Sequence, residues 1–102
     1  MSQQVKLLLS YDVVEGHESA YRRFVVEEFL PGVQSLGLAP TDAWTTAYGD
    51  YPSRLLGLVA ESRATADAAR HTEKWREMIG KLQEFTQHLT LRLVRVSGGF
   101  QW

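Results

Sequence analysis

Four side chains stand out as candidates for moving a proton. They are three histidines, His17, His71 and His88, and an aspartate, Asp12, that closes an apolar run just ahead of Glu15 and His17. A carboxylate and an imidazole at the mouth of a cavity can act as a general base and its partner. His71 and Asp12 are therefore the candidate catalytic residues, His71 because it falls early on an expected helix. Each has an ordinary competing role: a surface histidine, and an aspartate that caps the turn after a strand. His71 and His88 stand 17 positions apart, which on a straight helix is roughly 260° around the axis. They do not share a face. No pair has the spacing of metal ligands, so no metal site built from one chain is expected.

The aromatic side chains form the second candidate set. Tyr11, Trp44, Tyr48 and Trp75 are expected to line a pocket for a flat organic ligand, with a hydroxyl or indole N–H left to orient it. Core packing is the competing role, above all for Trp75. Arg54 opens an expected strand and can meet a carboxylate, although such arginines often extend into solvent. Phe100 and Trp102 follow Ser97-Gly98-Gly99. They are expected to dock on a partner subunit or to plug a cavity.

The bulk composition narrows the classes of function. The 102 residues fit one domain, spanning 1–102. Hydrophobic residues are 44% and charged residues 23%, as in an ordinary globular protein. Eleven basic residues are scattered among twelve acidic ones, for a net charge of -1. There is no basic stripe, so no nucleic-acid partner is expected. The absence of cysteine excludes disulfides and thiolate chemistry. It suits a reducing, cytoplasmic setting. No apolar stretch approaches the roughly 20 residues of a membrane helix, and the first residues lack the form of a signal peptide. There is no phosphate loop, no GxSxG elbow and no dinucleotide fingerprint. No cofactor is expected.

Those side chains need elements to hold them. Val5 to Val14 reads as a strand, with Val5, Leu7, Leu9 and Tyr11 on one face. A helix from His17 to about Leu36 carries Tyr21, Phe24, Val25, Phe29, Val33 and Leu36 as its apolar stripe. Pro31-Gly32 should kink it, and Gly37 should cap its C-terminus. Strands are expected at 43–48 and 54–61, joined by a turn at Gly49-Asp50-Tyr51-Pro52. A second helix should run from Thr65, as N-cap, to about His88. Its inner stripe would be Ala68, Trp75, Met78, Ile79, Leu82 and Phe85, and Gly80 is out of place in it. A last strand follows over 90–96.

The order β-α-β-β-α-β implies an α+β, ferredoxin-like domain. It would have a four-stranded antiparallel sheet, two helices on one face, and the first and third strands central. The other face should carry Leu8, Trp44 or Ala43, Leu55 or Leu56, and Val94 or Leu93. An apolar face of that kind calls for cover, and a second copy supplies it.

Trp44-Thr45-Thr46-Ala47-Tyr48-Gly49, Leu55-Leu56-Gly57-Leu58 and a helix carrying Trp75 resemble the NIPSNAP-like branch of the dimeric α+β barrel superfamily. Ala69-Arg70-His71-Thr72 is similar to a helix segment of antibiotic-biosynthesis-type monooxygenases in that superfamily. The resemblance implies a ferredoxin-like fold that pairs sheet to sheet. The superfamily holds cofactor-free oxygenases, isomerases, haem enzymes and ligand sensors, so fold alone does not choose a function. Two expectations follow. One is a homodimeric small-molecule-binding or accessory protein. The other is a cofactor-independent monooxygenase or isomerase acting on an aromatic or polyketide-like compound.

Overall fold

A computed structural model describes residues 3–48 and 51–96; of these, the side chains at 42–48 and 51–53 stand outside the description. Strand β1, Val5–Val13, alternates buried and half-buried along its whole length. Its inward residues Val5, Leu7, Leu9, Tyr11 and Val13 are the centre of the core. It pairs antiparallel with β3, Tyr51–Ala60, and with β4, Thr86–Arg95. Strand β2, Ala39–Tyr48, pairs only with β3, giving the sheet order β2-β3-β1-β4. The first and third strands are central, as their apolar patterns require. The helices lie on one face, in a ferredoxin-like arrangement. The extents of 45 × 35 × 19 Å leave room for one helix layer on one sheet and no more.

Register settles which residues face which way. Leu58 and Leu93 flank Leu7, and Leu56 and Leu91 flank Leu9, so these face the helices. Val59 and Val94 flank Lys6, and Leu55 lies opposite Ser10. The open face therefore carries Leu8, Leu55, Val59 and Val94, all partly exposed.

The first crossover departs from a kinked helix. Helix α1, Glu18–Phe24, runs into a π-helical turn, Val25–Phe29, and continues as α2, Leu30–Ser35. The Leu30 N–H donates to the Val25 carbonyl, one residue further back than in an α-helix. A proline clashes with the carbonyl four residues before it and donates nothing. The wider turn just ahead of Pro31 absorbs both problems. It also brings Phe24 and Phe29, five positions apart, onto the same inward side. The end at Gly37 is as expected. Leu38 N–H donates to Val33 O and Gly37 N–H to Gln34 O, with Gly37 at φ +88°. Gly37→Ala is expected to lower stability by about 1 kcal/mol, since a Cβ is strained there. Urea unfolding measures it.

The second crossover is two helices, not one. Helix α3, Arg63–Arg70, is capped by Ser62, whose Oγ accepts from Thr65 N–H at 3.1 Å. Thr65 thus sits inside the helix, not at its cap. Helix α4, Glu73–Gln83, is capped by Thr72, whose Oγ1 accepts from Trp75 N–H at 3.0 Å. The restart turns Ala66 and Ala69 inward in place of the exposed Ala68, with Trp75, Met78 and Leu82 below them. Phe85 lies beyond α4 and packs on the core edge. His88 is in β4 and not at a helix end, because β4 starts at Thr86, four residues ahead of the expected start at Thr90. Strand β2 begins at Ala39 despite Pro40, which an edge strand tolerates. Tyr51 and Pro52 belong to β3, while Gly49 and Asp50 lie outside the described residues. Among the described residues, no helix is long and apolar enough to cross a membrane.

Candidate functional site

Tyr11 is the fourth inward residue of β1, and Tyr21 stands on the inward side of α1. Their hydroxyl oxygens are 2.6 Å apart, with the rings edge-on and centroids 5.8 Å apart. Arg54 is the cross-strand neighbour of Tyr11 on β3. Its guanidinium carbon lies 5.5 Å from the centre of the Tyr21 ring, a cation–π distance. Tyr11 is 2% exposed. Burial pushes its hydroxyl far above the ordinary tyrosine range; the neighbouring Tyr21 adds to this, and Arg54 opposes it. Tyr11 is therefore a neutral phenol across the working pH range. This corner offers hydrogen-bonding hydroxyls beside a cation, and Tyr11 is not a base.

Asp12 follows on the same strand and faces the other way, onto the open side of the sheet. Its partner is neither His17 nor His71. The Asp12 Oδ2 accepts from His88 Nδ1 at 3.0 Å, with the two side chains 19% and 75% exposed. A bulge makes this meeting. Ser10 pairs with Thr90 and Asp12 with Gln87, so His88 and Leu89 together stand against Tyr11. His88 takes φ 61°, left-handed backbone that costs a non-glycine residue about 1 kcal/mol or more. The pair holds one ring nitrogen of His88 and leaves the other towards solvent.

His71 is the C-cap of α3, on the helix side of the molecule, and its Nδ1 donates to the Asp67 carbonyl at 2.6 Å. Asp12 and His71 are thus on opposite sides of the sheet. His71 instead shares a concavity of about 420 Å³ with Trp75, Arg70, Arg76, Ile79, Gly80 and Gln83. Trp75 itself is only 6% exposed and packs at a tilt near Phe29, so core packing is its main role. A larger concavity, about 570 Å³, opens between Val5, Ser62, Arg63, Leu93 and Arg95 and holds none of the expected residues. Trp44 pairs with Leu55 and Tyr48 with Tyr51 in backbone register. Their side chains, and Phe100 and Trp102 entirely, lie outside the described residues. His17 is the exposed N-cap of α1. Among the described residues, no group of three His, Asp or Glu side chains is placed to hold a metal ion.

Two roles escaped the sequence reading. Tyr21 was visible only as one member of an apolar stripe, although a hydroxyl on such a stripe must find a partner when buried. His88 was named among the histidines, but its pairing had no signal, because its partner is 76 positions away and reached through a bulge.

No family model matches this sequence, and no curated protein matches it. Solved structures do. A NIPSNAP domain protein from Burkholderia xenovorans superposes with a TM-score of 0.72 at 14% identity, covering 95% of this chain and 97% of that one. A NIPSNAP family protein from Agrobacterium tumefaciens gives 0.72 at 15% identity, over 95% and 89%. An antibiotic biosynthesis monooxygenase-like protein from Nitrosomonas europaea gives 0.68 at 13% identity, over 96% and 92%. At these identities the likeness is one of fold: the chain has the ferredoxin-like α+β fold.

Proposed function

We propose that this chain is a homodimeric small-molecule-binding protein whose ligand is an organic carboxylate, met by Arg54 in front of the Tyr11–Tyr21 pair. The carrying observation is the chemistry of that corner. A buried neutral phenol beside a guanidinium binds and orients an anionic oxygen, and Tyr11 cannot take up a proton at neutral pH. The dimer forms through the open sheet face, where Leu8, Leu55, Val59 and Val94 await cover. Phe100 and Trp102 are assigned to that interface. A cytoplasmic setting agrees with the absence of cysteine.

The second reading is a cofactor-independent monooxygenase or isomerase. The Asp12–His88 pair favours it, because a carboxylate that holds one imidazole nitrogen leaves the other to act as a base. The pair is on the opposite face from the tyrosines, which favours binding as the first reading.

Thermal shift with a panel of aromatic carboxylates and their neutral amides tests the proposal. A ligand at 100 times its Kd stabilises by about 2.7 kcal/mol. The acids are expected to raise the melting temperature and the amides to do so far less. Arg54→Met is expected to abolish the difference, whereas Tyr11→Phe weakens acids and amides alike. Acids and amides that shift the wild type equally would overturn the reading.

A further inference from the structure

Gly80 stands in the middle of α4 on its exposed side. Glycine is the poorest ordinary helix former, so its place in a helix interior calls for a cause. A close approach by another part of the chain is the usual one. It does not apply, because a Cβ built at Gly80 meets nothing within 4 Å. What the missing side chain leaves instead is space in the 420 Å³ concavity that Gly80 lines.

The walls of that concavity have one charge sign. Arg70, His71 and Arg76 line it together with Ile79, Gln83 and the edge of Trp75, and no carboxylate does. Two other cations of the helix layer meet carboxylates, Lys81 with Glu28 at 3.0 Å and Arg63 with Asp67 at 3.8 Å, and Lys74 donates to the Ser35 hydroxyl. Among the described residues Arg70 and Arg76 form no ion pair. His71 is oriented by its Nδ1–H bond to the Asp67 carbonyl at 2.6 Å, which leaves Nε2 for a ligand. Guanidinium groups bind phosphate oxygens in pairs of hydrogen bonds, and two of them suit a doubly charged group. The Ile79–Gly80 floor suits a flat ring.

From the vacant space over Gly80 and the unpaired arginines around it, we infer that the α3–α4 surface is a second ligand site, one for an aromatic phosphate ester. The phosphate meets Arg70 and Arg76, beside His71, and the ring lies over Gly80. The site is on the helix layer, away from the open sheet face, so a second copy on that face leaves it accessible. It does not depend on the carboxylate site proposed at Arg54.

Calorimetric titration of the full chain with 1-naphthyl phosphate, 1-naphthol and inorganic phosphate tests it. Naphthyl phosphate is expected to bind at least tenfold more tightly than either fragment. Gly80→Ala is expected to act in opposite directions on two readouts. Its melting temperature rises by roughly 4–8 °C, as helix propensity dictates, while its affinity for naphthyl phosphate falls tenfold or more. Arg70→Gln with Arg76→Gln removes the preference for the phosphate over naphthol. Wild-type affinity in Gly80→Ala overturns the inference, as does equal binding of naphthol or of inorganic phosphate. Binding lost in Arg54→Met but kept in Gly80→Ala also overturns it, and assigns the ligand to the Arg54 site.

Discussion

Leu55→Glu is expected to leave the domain folded and to raise the dimer dissociation constant at least a hundredfold. Leu55 lies on β3, a central strand, and faces away from the helices opposite Ser10. In a lone protomer the new carboxylate reaches water from a partly exposed position, so the fold loses little. Between two sheets it is stripped of water with its symmetry mate close by. An unpaired buried charge costs several kcal/mol, and each 1.4 kcal/mol is a factor of ten in affinity. Sedimentation equilibrium of both proteins reads the result. A wild type that is monomeric at micromolar concentration would sink the open-face dimer, and so would a variant that dimerises as tightly as the wild type.

Phe29→Ala is expected to cost about 3–5 kcal/mol of folding stability, a large share of the 5–15 kcal/mol typical of a domain. Phe29 closes the π-helical turn and is fully buried. Its ring lies 6.0 Å from Phe24 and 6.5 Å from Trp75, so it ties the first crossover to α4. Truncation leaves a cavity where the two helical crossovers meet in the core. Val26, in the same turn, is 60% exposed, and Val26→Ala should change stability by less than about 0.5 kcal/mol. Urea unfolding of both variants checks the contrast. Equal effects would mean that the turn does not present Phe29 inward. A double-mutant cycle of Phe29 with Trp75 should give a coupling of about 0.5–1.5 kcal/mol.

The two predictions rest on features of unequal visibility. The open face was foreseen as a property of the sheet, but Leu55 and Leu56 could not be told apart as its members. Both are leucines in an apolar run, and one residue of slip exchanges the faces. The pairing of Leu56 with Leu9 and of Leu55 with Ser10 decides it. The π turn was less visible still. The stripe of Tyr21, Phe24, Val25, Phe29 and Val33 fits a plain helix if Val25 is counted inward. In the fold Val25 is only half-buried, and the step from Phe24 to Phe29 carries the face.

The candidate site divides the same way. Tyr11 and Arg54 were picked out by type and position, and the corner they form needed Tyr21 to complete it. Asp12 was picked out as one half of a carboxylate–imidazole pair, and the fold supplies His88 as the other half. Neither His17 nor His71 reaches it. His71 and Trp75, chosen separately, share one concavity because the restart at Thr72 puts them on adjoining turns.

By itself the sequence determined the order of elements, the inward face of β1, the central place of β1 and β3, and the C-terminal cap at Gly37. These depend on periodicity and on one residue's backbone freedom, which neighbours along the chain express. Tertiary structure alone decided the faces of β3 and β4, the break between α3 and α4, the π turn before Pro31, and the partners of Asp12 and Tyr11. The faces and the partners depend on groups distant in sequence. A bulge, a register or a shared hydroxyl pair exists only once two strands, or a strand and a helix, are brought side by side.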